Sequence, residues 1–85
     1  MSFCVYFLKS LTNNDLYIGS TENLEKRVAL HNTGKVKSTK AYLPWKLLDF
    51  EIYDLRNEAT KRERFLKSGQ QKEILKKKYG AVAKR

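Results

Sequence analysis

The segment DLYIGSTENLEKRVALH, residues 15–31, decides the fold that we predict for this chain. Its first part, residues 16–20, is short and apolar and indicates a β-strand. Thr21 is a residue type that favours the N-cap of a helix, and Gly34 is one that ends a helix. The segment therefore predicts a strand that leads through a turn at Gly19-Ser20-Thr21 into a single helix.

Residues 3–9, FCVYFLK, form a second apolar and aromatic run just before this segment and predict a largely buried strand. Residues 10–14, SLTNN, are rich in turn-forming side chains, so the two strands should form an antiparallel hairpin. Any register in which the paired residue numbers sum to an odd value places Tyr6 and Tyr17 on the same face of the sheet.

The rest of the chain predicts a basic loop, a third strand and two helices, over residues 35–46, 47–53, 57–68 and 70–79. Asn57 is the expected N-cap of the first of these helices, and Ile74, Leu75 and Tyr79 should form the apolar side of the second. The predicted fold class is α+β, a small three-stranded antiparallel sheet flanked by helices in the order β-β-α-β-α-α. We expect one domain over residues 1–80 and a frayed basic tail over residues 81–85.

The charge of the chain is strongly basic and unevenly distributed. Eighteen Lys and Arg residues against nine Asp and Glu residues give a net charge of +9. Residues 1–60 are nearly balanced, whereas residues 61–85 hold ten basic and two acidic groups. Such a patch is typical of proteins that bind nucleic acid, and the alternative is a solvated basic face without a specific partner.

Apolar runs, cysteines and histidines limit the possible classes of protein. No apolar run approaches the ~20 residues of a membrane span, which predicts no membrane partner. One cysteine and one histidine exclude an internal disulfide and a zinc cluster. With no basic segment before the first apolar run, the sequence predicts a cytoplasmic location.

Polar residues lie on the apolar face of the first predicted helix. At about 100° per residue, Arg27 and His31 fall within the arc that Leu24, Val28 and Leu30 define. An unpaired charge on a buried face is costly, so the pair indicates a site open at one edge of the core. The alternative is that Arg27 extends to the edge and His31 is a satisfied core histidine.

The second helix carries a carboxylate on its apolar face. Glu63 lies on the same side as Ala59 and Leu66. A carboxylate there needs a cation, which can be a metal ion or, alternatively, Arg27 or Arg62.

Taken in this order, these residues resemble the GIY-YIG nuclease domain over residues 3–70. The first motif is Cys4-Val5-Tyr6, with Cys where the family usually has Gly, and the second is intact as Tyr17-Ile18-Gly19, where Gly19 has a structural role. Arg27 and His31 match the family's R-x-x-x-H pattern, and Glu63 matches its acidic metal ligand. The chain is most similar to small stand-alone members related to the nuclease domain of the excision-repair incision subunit.

The resemblance implies a DNA endonuclease that uses one divalent metal ion, Mg²⁺ or Mn²⁺. Tyr6 would be the general base, with a pKa held well below its normal value by Arg27 and the metal. Tyr17, Arg27 and His31 would contact the scissile phosphate, and Glu63 would bind the metal. Branched, damaged or nicked DNA and a role in DNA repair follow from the same resemblance, with RNA as a competing substrate.

Two positions depart from the family pattern. Ser20 stands where some members have a lysine after the second motif. Only Gln70 and Gln71 stand near the position where many members carry an asparagine beyond the acidic helix. Both departures bear on rate and substrate choice more than on the type of reaction.

Basic and aromatic residues outside the motifs are candidates for contacts with nucleic acid: Lys35, Lys37, Lys40, Tyr42, Trp45, Lys76, Lys77 and Lys78. Tyr42 and Trp45 are predicted either to stack on bases or to fix the loop to the core. A second functional hypothesis is a basic nucleic-acid-binding protein, associated with RNA or the ribosome, that has the fold but little catalytic activity.

Overall fold

The computed structural model describes residues 2–79, so the predicted tail at residues 81–85 lies outside the described residues. The elements are β1 (Phe3–Ser10), β2 (Leu16–Thr21), α1 (Leu24–His31), β3 (Trp45–Tyr53), α2 (Arg56–Lys67) and α3 (Gly69–Lys78). A short 3₁₀ turn, Lys40–Tyr42, lies in the loop between α1 and β3. The strands form one antiparallel sheet in the order β2-β1-β3, which confirms the predicted α+β class. Within residues 2–79, no helix has the length and apolarity needed to span a membrane.

The central strand β1 is buried on both faces, which explains its continuous apolar run. One face packs against α2 and α3 through Val5 and Phe7, together with residues such as Leu66 and Leu75. Tyr6 and Leu8 point to the other face, where they pack with Trp45 and with residues of α1 and the following loop. The sheet thus separates two small apolar clusters, and Tyr6 belongs to the one beneath α1.

The hairpin register confirms the predicted placement of the two tyrosines. Cys4 pairs with Thr21, Tyr6 with Gly19 and Leu8 with Tyr17. The two residue numbers in each pair add up to an odd value, so Tyr6 and Tyr17 share one face of the sheet.

An irregularity in β3 explains why its sequence alternates only in part. Phe7 pairs with Asp49, whereas the next residue of β1, Leu8, pairs with Leu47. Leu48 is therefore the extra residue of a bulge, and it packs on the α2 side. Trp45 and Leu47 consequently remain on the face of Tyr6.

Both predicted caps of the first helix were wrong. Thr21 pairs with Cys4 as the last residue of β2, and the N-cap is Asn23, whose side chain accepts the N–H of Lys26 at 3.1 Å. The helix ends at His31 with Asn32 as its C-cap. Gly34, with a φ of 81°, lies beyond the cap and turns the chain into the loop.

Three smaller predictions also need correction. β3 begins at Trp45, which pairs with Ser10, rather than at residue 47. Asn57 lies inside α2, whose first turn is closed by Glu58, which accepts the N–H of Leu55 at 3.4 Å. Ile74 is 50 % exposed, so the apolar side of α3 is formed by Leu75 and Tyr79 without it.

Candidate active site

The site is built around Tyr6, whose position depends on Gly19. Tyr6 is only 1 % exposed and lies across the ladder from Gly19. A Cβ at residue 19 would lie 2.5 Å from the Tyr6 hydroxyl oxygen and 3.1 Å from a ring carbon of Tyr17. Only glycine therefore leaves room for the Tyr6 ring to lie over β2.

Two polar side chains of α1 reach the Tyr6 hydroxyl. His31 Nε2 lies 2.8 Å from Tyr6 Oη, and Arg27 Nε donates to the same oxygen at 3.4 Å. His31 is fully buried and Arg27 partly buried, as their positions on the helix predicted. The structure therefore joins Tyr6, Arg27 and His31 in one hydrogen-bonded group.

Tyr17 forms the more open side of this group. Its ring centroid lies 6.3 Å from that of Tyr6 and 4.9 Å from that of His31. Because β2 is an outer strand, the half-buried Tyr17 ring lies at the edge of the sheet, beside the Tyr6 ring.

A pocket opens beside Arg27 on the α1 side of the site. It has a volume of about 210 Å³ and is also lined by Thr21, Asn23, Lys26 and Leu30. The exposed lining of the pocket is mostly apolar, but Lys26 and Arg27 bring two cationic groups to it, which would suit an anionic ligand such as a phosphate.

Thr39 is a member of the site that sequence reasoning missed. Its hydroxyl oxygen lies 2.9 Å from His31 Nδ1, and its carbonyl accepts the indole N–H of Trp45 at 2.8 Å. Thr39 is fully buried, although it comes from a basic loop without periodicity. No local pattern marks a buried residue in such a loop, so only the tertiary structure identifies it.

Glu63 approaches the same edge of the sheet from the α2 side. Its Oε1 accepts the Ser20 hydroxyl at 2.6 Å, and its Oε2 pairs with Lys67 Nζ at 2.7 Å. Lys67 Nζ also lies 5.6 Å from the centroid of the Tyr17 ring. Ser20 thus anchors the carboxylate on the α2 face of β2, and Lys67 connects it to Tyr17 on the other face. Sequence reasoning assigned neither Ser20 nor Lys67 to the site.

The expected ion-pair partners of Glu63 were wrong. Arg62 instead binds Glu51 on β3, with Nε and Nη2 at 3.0 and 3.2 Å from its two carboxylate oxygens. Arg27 contacts Tyr6. The cation of Glu63 is Lys67, one helical turn along α2.

The protonation states of the group differ from the expectation for Tyr6. Burial raises the pKa of Tyr6 to about 12, although the hydrogen bond from Arg27 acts in the opposite direction. Burial, together with the charge of Arg27, lowers the pKa of His31 below its usual value. At neutral pH the site therefore holds a neutral phenol and a neutral imidazole beside a guanidinium cation.

A divalent cation fits this site only if one protein carboxylate binds it and water or substrate supplies its other ligands. Residues 2–79 contain no cluster of three or more His, Cys, Asp or Glu side chains that could hold a metal. A single carboxylate suffices for Mg²⁺, however, because this ion keeps several waters and is often bound by one or two carboxylates plus substrate phosphates. The part-buried Glu63 carboxylate has the chemistry for that role.

The predicted nucleic-acid contacts fall on two sides of the sheet. Lys35, Lys37 and Lys40 are exposed on the loop that covers the Tyr6 face. Lys76, Lys77 and Lys78 lie on α3, which packs on the opposite face. The structure therefore does not gather the two sets of lysines around one site.

The two aromatic candidates of the loop behave differently. Tyr42 is 44 % exposed and its ring is accessible. Trp45 is 5 % exposed, and its N–H is bound to Thr39, so the prediction that it stacks on bases was wrong. Trp45 instead fixes the loop to the core, which is the other role that the sequence left open.

Comparison with known proteins agrees with this arrangement. The model of the GIY-YIG catalytic domain matches residues 2–79. A UPF0213 protein of Clostridium perfringens is 44 % identical over 64 residues, which cover 74 % of this chain and 68 % of that protein. A UPF0213 protein of Bacillus licheniformis is 40 % identical over 63 residues, or 73 % of this chain and 65 % of that protein. The aligned region thus spans about two thirds of the length of these relatives.

A solved structure resembles the fold over nearly its whole length. The solution NMR structure of a UPF0213 protein from Bacillus halodurans superposes with a TM-score of 0.56 at 27 % identity, covering 99 % of this chain and 96 % of that one. The family match indicates a nuclease-like function, a nucleic acid substrate and the use of a divalent metal in general. With its two tyrosine motifs on paired strands and the family model matched over residues 2–79, the chain belongs to the GIY-YIG catalytic domain family.

Proposed function

We propose that this protein is a DNA endonuclease that hydrolyses phosphodiester bonds with the help of one divalent metal ion. The observation that carries the proposal is the convergence of Arg27 and His31 on the hydroxyl of Tyr6. A buried structural tyrosine needs an acceptor for its hydrogen, but it does not need a guanidinium cation at its oxygen as well. Together Arg27 and His31 provide a cation for a phosphate and an acceptor for a proton.

Arg27 and Tyr17 are the proposed substrate contacts. The Arg27 side chain lines the open pocket beside the site, and Tyr17 lies towards the outer edge of β2. A phosphate placed there would receive charge-assisted hydrogen bonds from the guanidinium. These bonds would strengthen as negative charge develops on the phosphate oxygens in the transition state.

The raised pKa of Tyr6 determines how it serves as the general base. A free phenolate is scarce at neutral pH when the pKa is about 12. Tyr6 Oη therefore accepts a proton from the attacking water while its own proton passes to His31 Nε2, 2.8 Å away. The hydroxide attacks phosphorus, the bond to the leaving sugar oxygen breaks, and that oxygen takes a proton from solvent.

This assignment changes the role that the sequence suggested for His31. Nε2 faces Tyr6 and Nδ1 faces Thr39, so both ring nitrogens are occupied within the protein. A buried imidazole in this position is suited to accept a proton from Tyr6 rather than to bind the phosphate directly.

Glu63 is the proposed metal ligand. When bound, a divalent cation supplies positive charge next to the scissile phosphate. Lys67 now pairs with Oε2 of Glu63, so the ammonium group and a metal ion would compete for one carboxylate. Ser20 holds the other oxygen and fixes the orientation of the carboxylate at the edge of β2.

The alternative function is nucleic-acid binding with little catalysis. The observations that favour it are the burial of the Tyr6 hydroxyl and the engagement of both Glu63 oxygens by Ser20 and Lys67. The basic surface serves either function equally well.

The substrate we propose is DNA with a branch, a nick or a damaged site, as in DNA repair, and RNA is the competing substrate. We place the activity in the cytoplasm, since the single cysteine, Cys4, is compatible with a reducing compartment.

Cleavage assays with matched substrates test the proposal. Plasmid, branched DNA, flapped DNA and single-stranded RNA are incubated with the wild type and with Glu63→Ala, in Mg²⁺, Mn²⁺ or EDTA. We expect metal-dependent cleavage of a DNA substrate by the wild type and loss of cleavage by Glu63→Ala with DNA binding retained. Equal background in both proteins under all conditions, with normal binding, would establish the binding function instead.

A further inference from the structure

His31 is held at both nitrogens, which raises the question of which nitrogen carries the hydrogen. Nε2 lies 2.8 Å from Tyr6 Oη, and Nδ1 lies 2.9 Å from Thr39 Oγ1. A neutral imidazole has one N–H donor and one acceptor, so the two contacts must have opposite directions. The tautomer follows from the hydrogen bonds that the two hydroxyl groups make elsewhere.

The contacts of Tyr6 favour a hydrogen on Nδ1. Within residues 2–79, the hydrogen-bond partners of Tyr6 Oη are Arg27 and His31. Arg27 Nε can only donate, so a hydrogen on Nε2 would place two donors at Tyr6 Oη and leave the phenol hydrogen without an acceptor. A buried unsatisfied hydroxyl costs ~1–3 kcal/mol. The Tyr6 hydroxyl therefore donates to Nε2.

The contacts of Thr39 are consistent with the same direction. Its hydroxyl donates to the carbonyl oxygen of Val36 at 3.4 Å, which leaves its oxygen lone pairs for His31 Nδ1–H. The resulting chain of donors runs from Arg27 to Tyr6, from Tyr6 to His31, and from His31 to Thr39 and Val36. Each buried side-chain donor and acceptor in this series of hydrogen bonds has a partner.

We propose that Thr39 is a positioning residue, which acts together with the Arg27–Tyr6 hydrogen bond to hold His31 in the tautomer with hydrogen on Nδ1 and so keeps the Nε2 lone pair directed at the Tyr6 hydroxyl. The catalytic consequence rests on the function proposed above, because only this tautomer can accept the proton of Tyr6. The structural claim about the tautomer is independent of any activity.

The loop is built so that the hydroxyl can be removed without moving Thr39. The Thr39 N–H donates to the Val36 carbonyl at 3.0 Å, and the Thr39 carbonyl accepts the indole N–H of Trp45. These are main-chain bonds, which do not depend on the side chain. Thr39→Val replaces the hydroxyl by a methyl group of similar size, and Thr39→Ser keeps the hydroxyl as a control.

His31 is the only histidine of the chain, so its tautomer can be read without assignment. The test is a long-range ¹H–¹⁵N correlation spectrum of the uniformly ¹⁵N-labelled full chain at neutral pH. We expect the wild type and Thr39→Ser to show a protonated Nδ1 and an unprotonated Nε2. Thr39→Val should shift to a mixture of the two tautomers, because Arg27 and Tyr6 still favour hydrogen on Nδ1 while that hydrogen loses its acceptor. A wild-type spectrum with hydrogen on Nε2, or an unchanged tautomer in Thr39→Val, would overturn the proposal.

Single-turnover cleavage supplies the second measurement. Loss of the outer partner of a metal-bound histidine typically lowers activity by about 10- to 100-fold, and we apply the same range to the partner of His31. We expect a loss of that size for Thr39→Val in the rate at saturating DNA, unchanged DNA affinity, and recovery in Thr39→Ser. If the spectra agree with the proposal while the wild type cleaves no substrate, the positioning role stands and the nuclease function fails. If the wild type cleaves and Thr39→Val cleaves equally fast, the positioning role fails alone.

Discussion

At the scale of single residues, the site depends on how closely Gly19 lets Tyr6 approach β2. The backbone at Gly19 is an ordinary strand, so the glycine is required by space and not by an unusual backbone angle. The Tyr6 hydroxyl can meet Arg27 and His31 only because no side chain occupies position 19.

Gly19→Ala should therefore displace the Tyr6 ring. The added Cβ would meet the hydroxyl oxygen at 2.5 Å, and overpacking of this kind costs ~1–3 kcal/mol. We expect a loss of that size in the free energy of unfolding, measured with urea. We also expect a lower cleavage rate under conditions in which the variant is still fully folded. Gly69→Ala is the control, because its Cβ would meet no atom within 4 Å. Equal stability of both variants would contradict this role of Gly19.

The lowered pKa of His31 predicts how stability depends on pH. The unfolded chain takes up a proton near pH 6.5, whereas the folded chain takes it up only at lower pH. The contribution of the neutral His31 to the free energy of unfolding is therefore present above about pH 6.5, and it is lost as the pH falls below that value. His31→Gln, which stays neutral, should show a weaker decline between about pH 7 and 5 in urea unfolding. Parallel declines in the two proteins would show that the imidazole is not buried in a neutral state.

At the scale of elements, Asn32 joins the end of α1 to the start of β3. Its Nδ2 donates to the Trp45 carbonyl at 2.9 Å, and its Oδ1 accepts the Trp45 N–H at 2.7 Å. The two bonds close the loop that carries Thr39 and bring it against His31. Asn32 thus contributes to the site without touching it.

Asn32→Ala should open this loop. Loss of the side chain leaves the partly buried N–H and C=O of Trp45 without these bonds, at a cost of ~1–3 kcal/mol. Urea unfolding should show this loss, and hydrogen exchange should show less protection of the Trp45 amide. Asn57→Ala, at an exposed position of α2, should change stability by less than about 0.5 kcal/mol. A neutral Asn32→Ala would mean that the loop is held by Trp45 packing alone.

The sequence predicted the order of the elements and the shared face of the tyrosines because both follow from local periodicity. It misplaced the N-cap because Thr21 and Asn23 are equally suitable residues, and only the pairing of Thr21 with Cys4 decides between them. Strand β3 was predicted too short because Trp45 precedes a bulge that disturbs the alternation.

The candidate site was predictable where the family motifs are local and not elsewhere. Tyr6, Tyr17, Arg27 and His31 came together as the sequence indicated. The contact of Thr39 with His31, however, depends on the closure of an irregular loop, and no motif records it.

At the scale of the whole molecule, the sheet separates the two groups of lysines. The charge of the sequence places most of the positive excess in residues 61–85, whereas the Tyr6 face is covered by the loop that carries Lys35, Lys37 and Lys40. Lys76 of α3 is in addition 3.7 Å from Asp15. We therefore expect the loop to contribute more to productive DNA binding than α3 does.

Two triple variants with the same change in charge test this expectation. Lys35, Lys37 and Lys40 are replaced by Gln in one variant, and Lys76, Lys77 and Lys78 in the other. Each lost phosphate contact lowers the slope of log affinity against log salt by about 0.9. The loop variant should show the larger loss of DNA affinity, the larger decrease in salt dependence and the larger loss of cleavage rate. A larger loss in the α3 variant would place the DNA on the opposite face of the sheet.

The most direct test of the account is the nicking of supercoiled plasmid by Tyr6→Phe in Mg²⁺, measured at concentrations where it binds DNA as fully as the wild type. The variant keeps the aromatic ring and removes the hydroxyl that Arg27 and His31 contact. Since general-base catalysis contributes about 10²- to 10⁴-fold, we predict that the rate falls by at least about 100-fold. Nicking by Tyr6→Phe at the wild-type rate would show that the catalytic centre lies elsewhere.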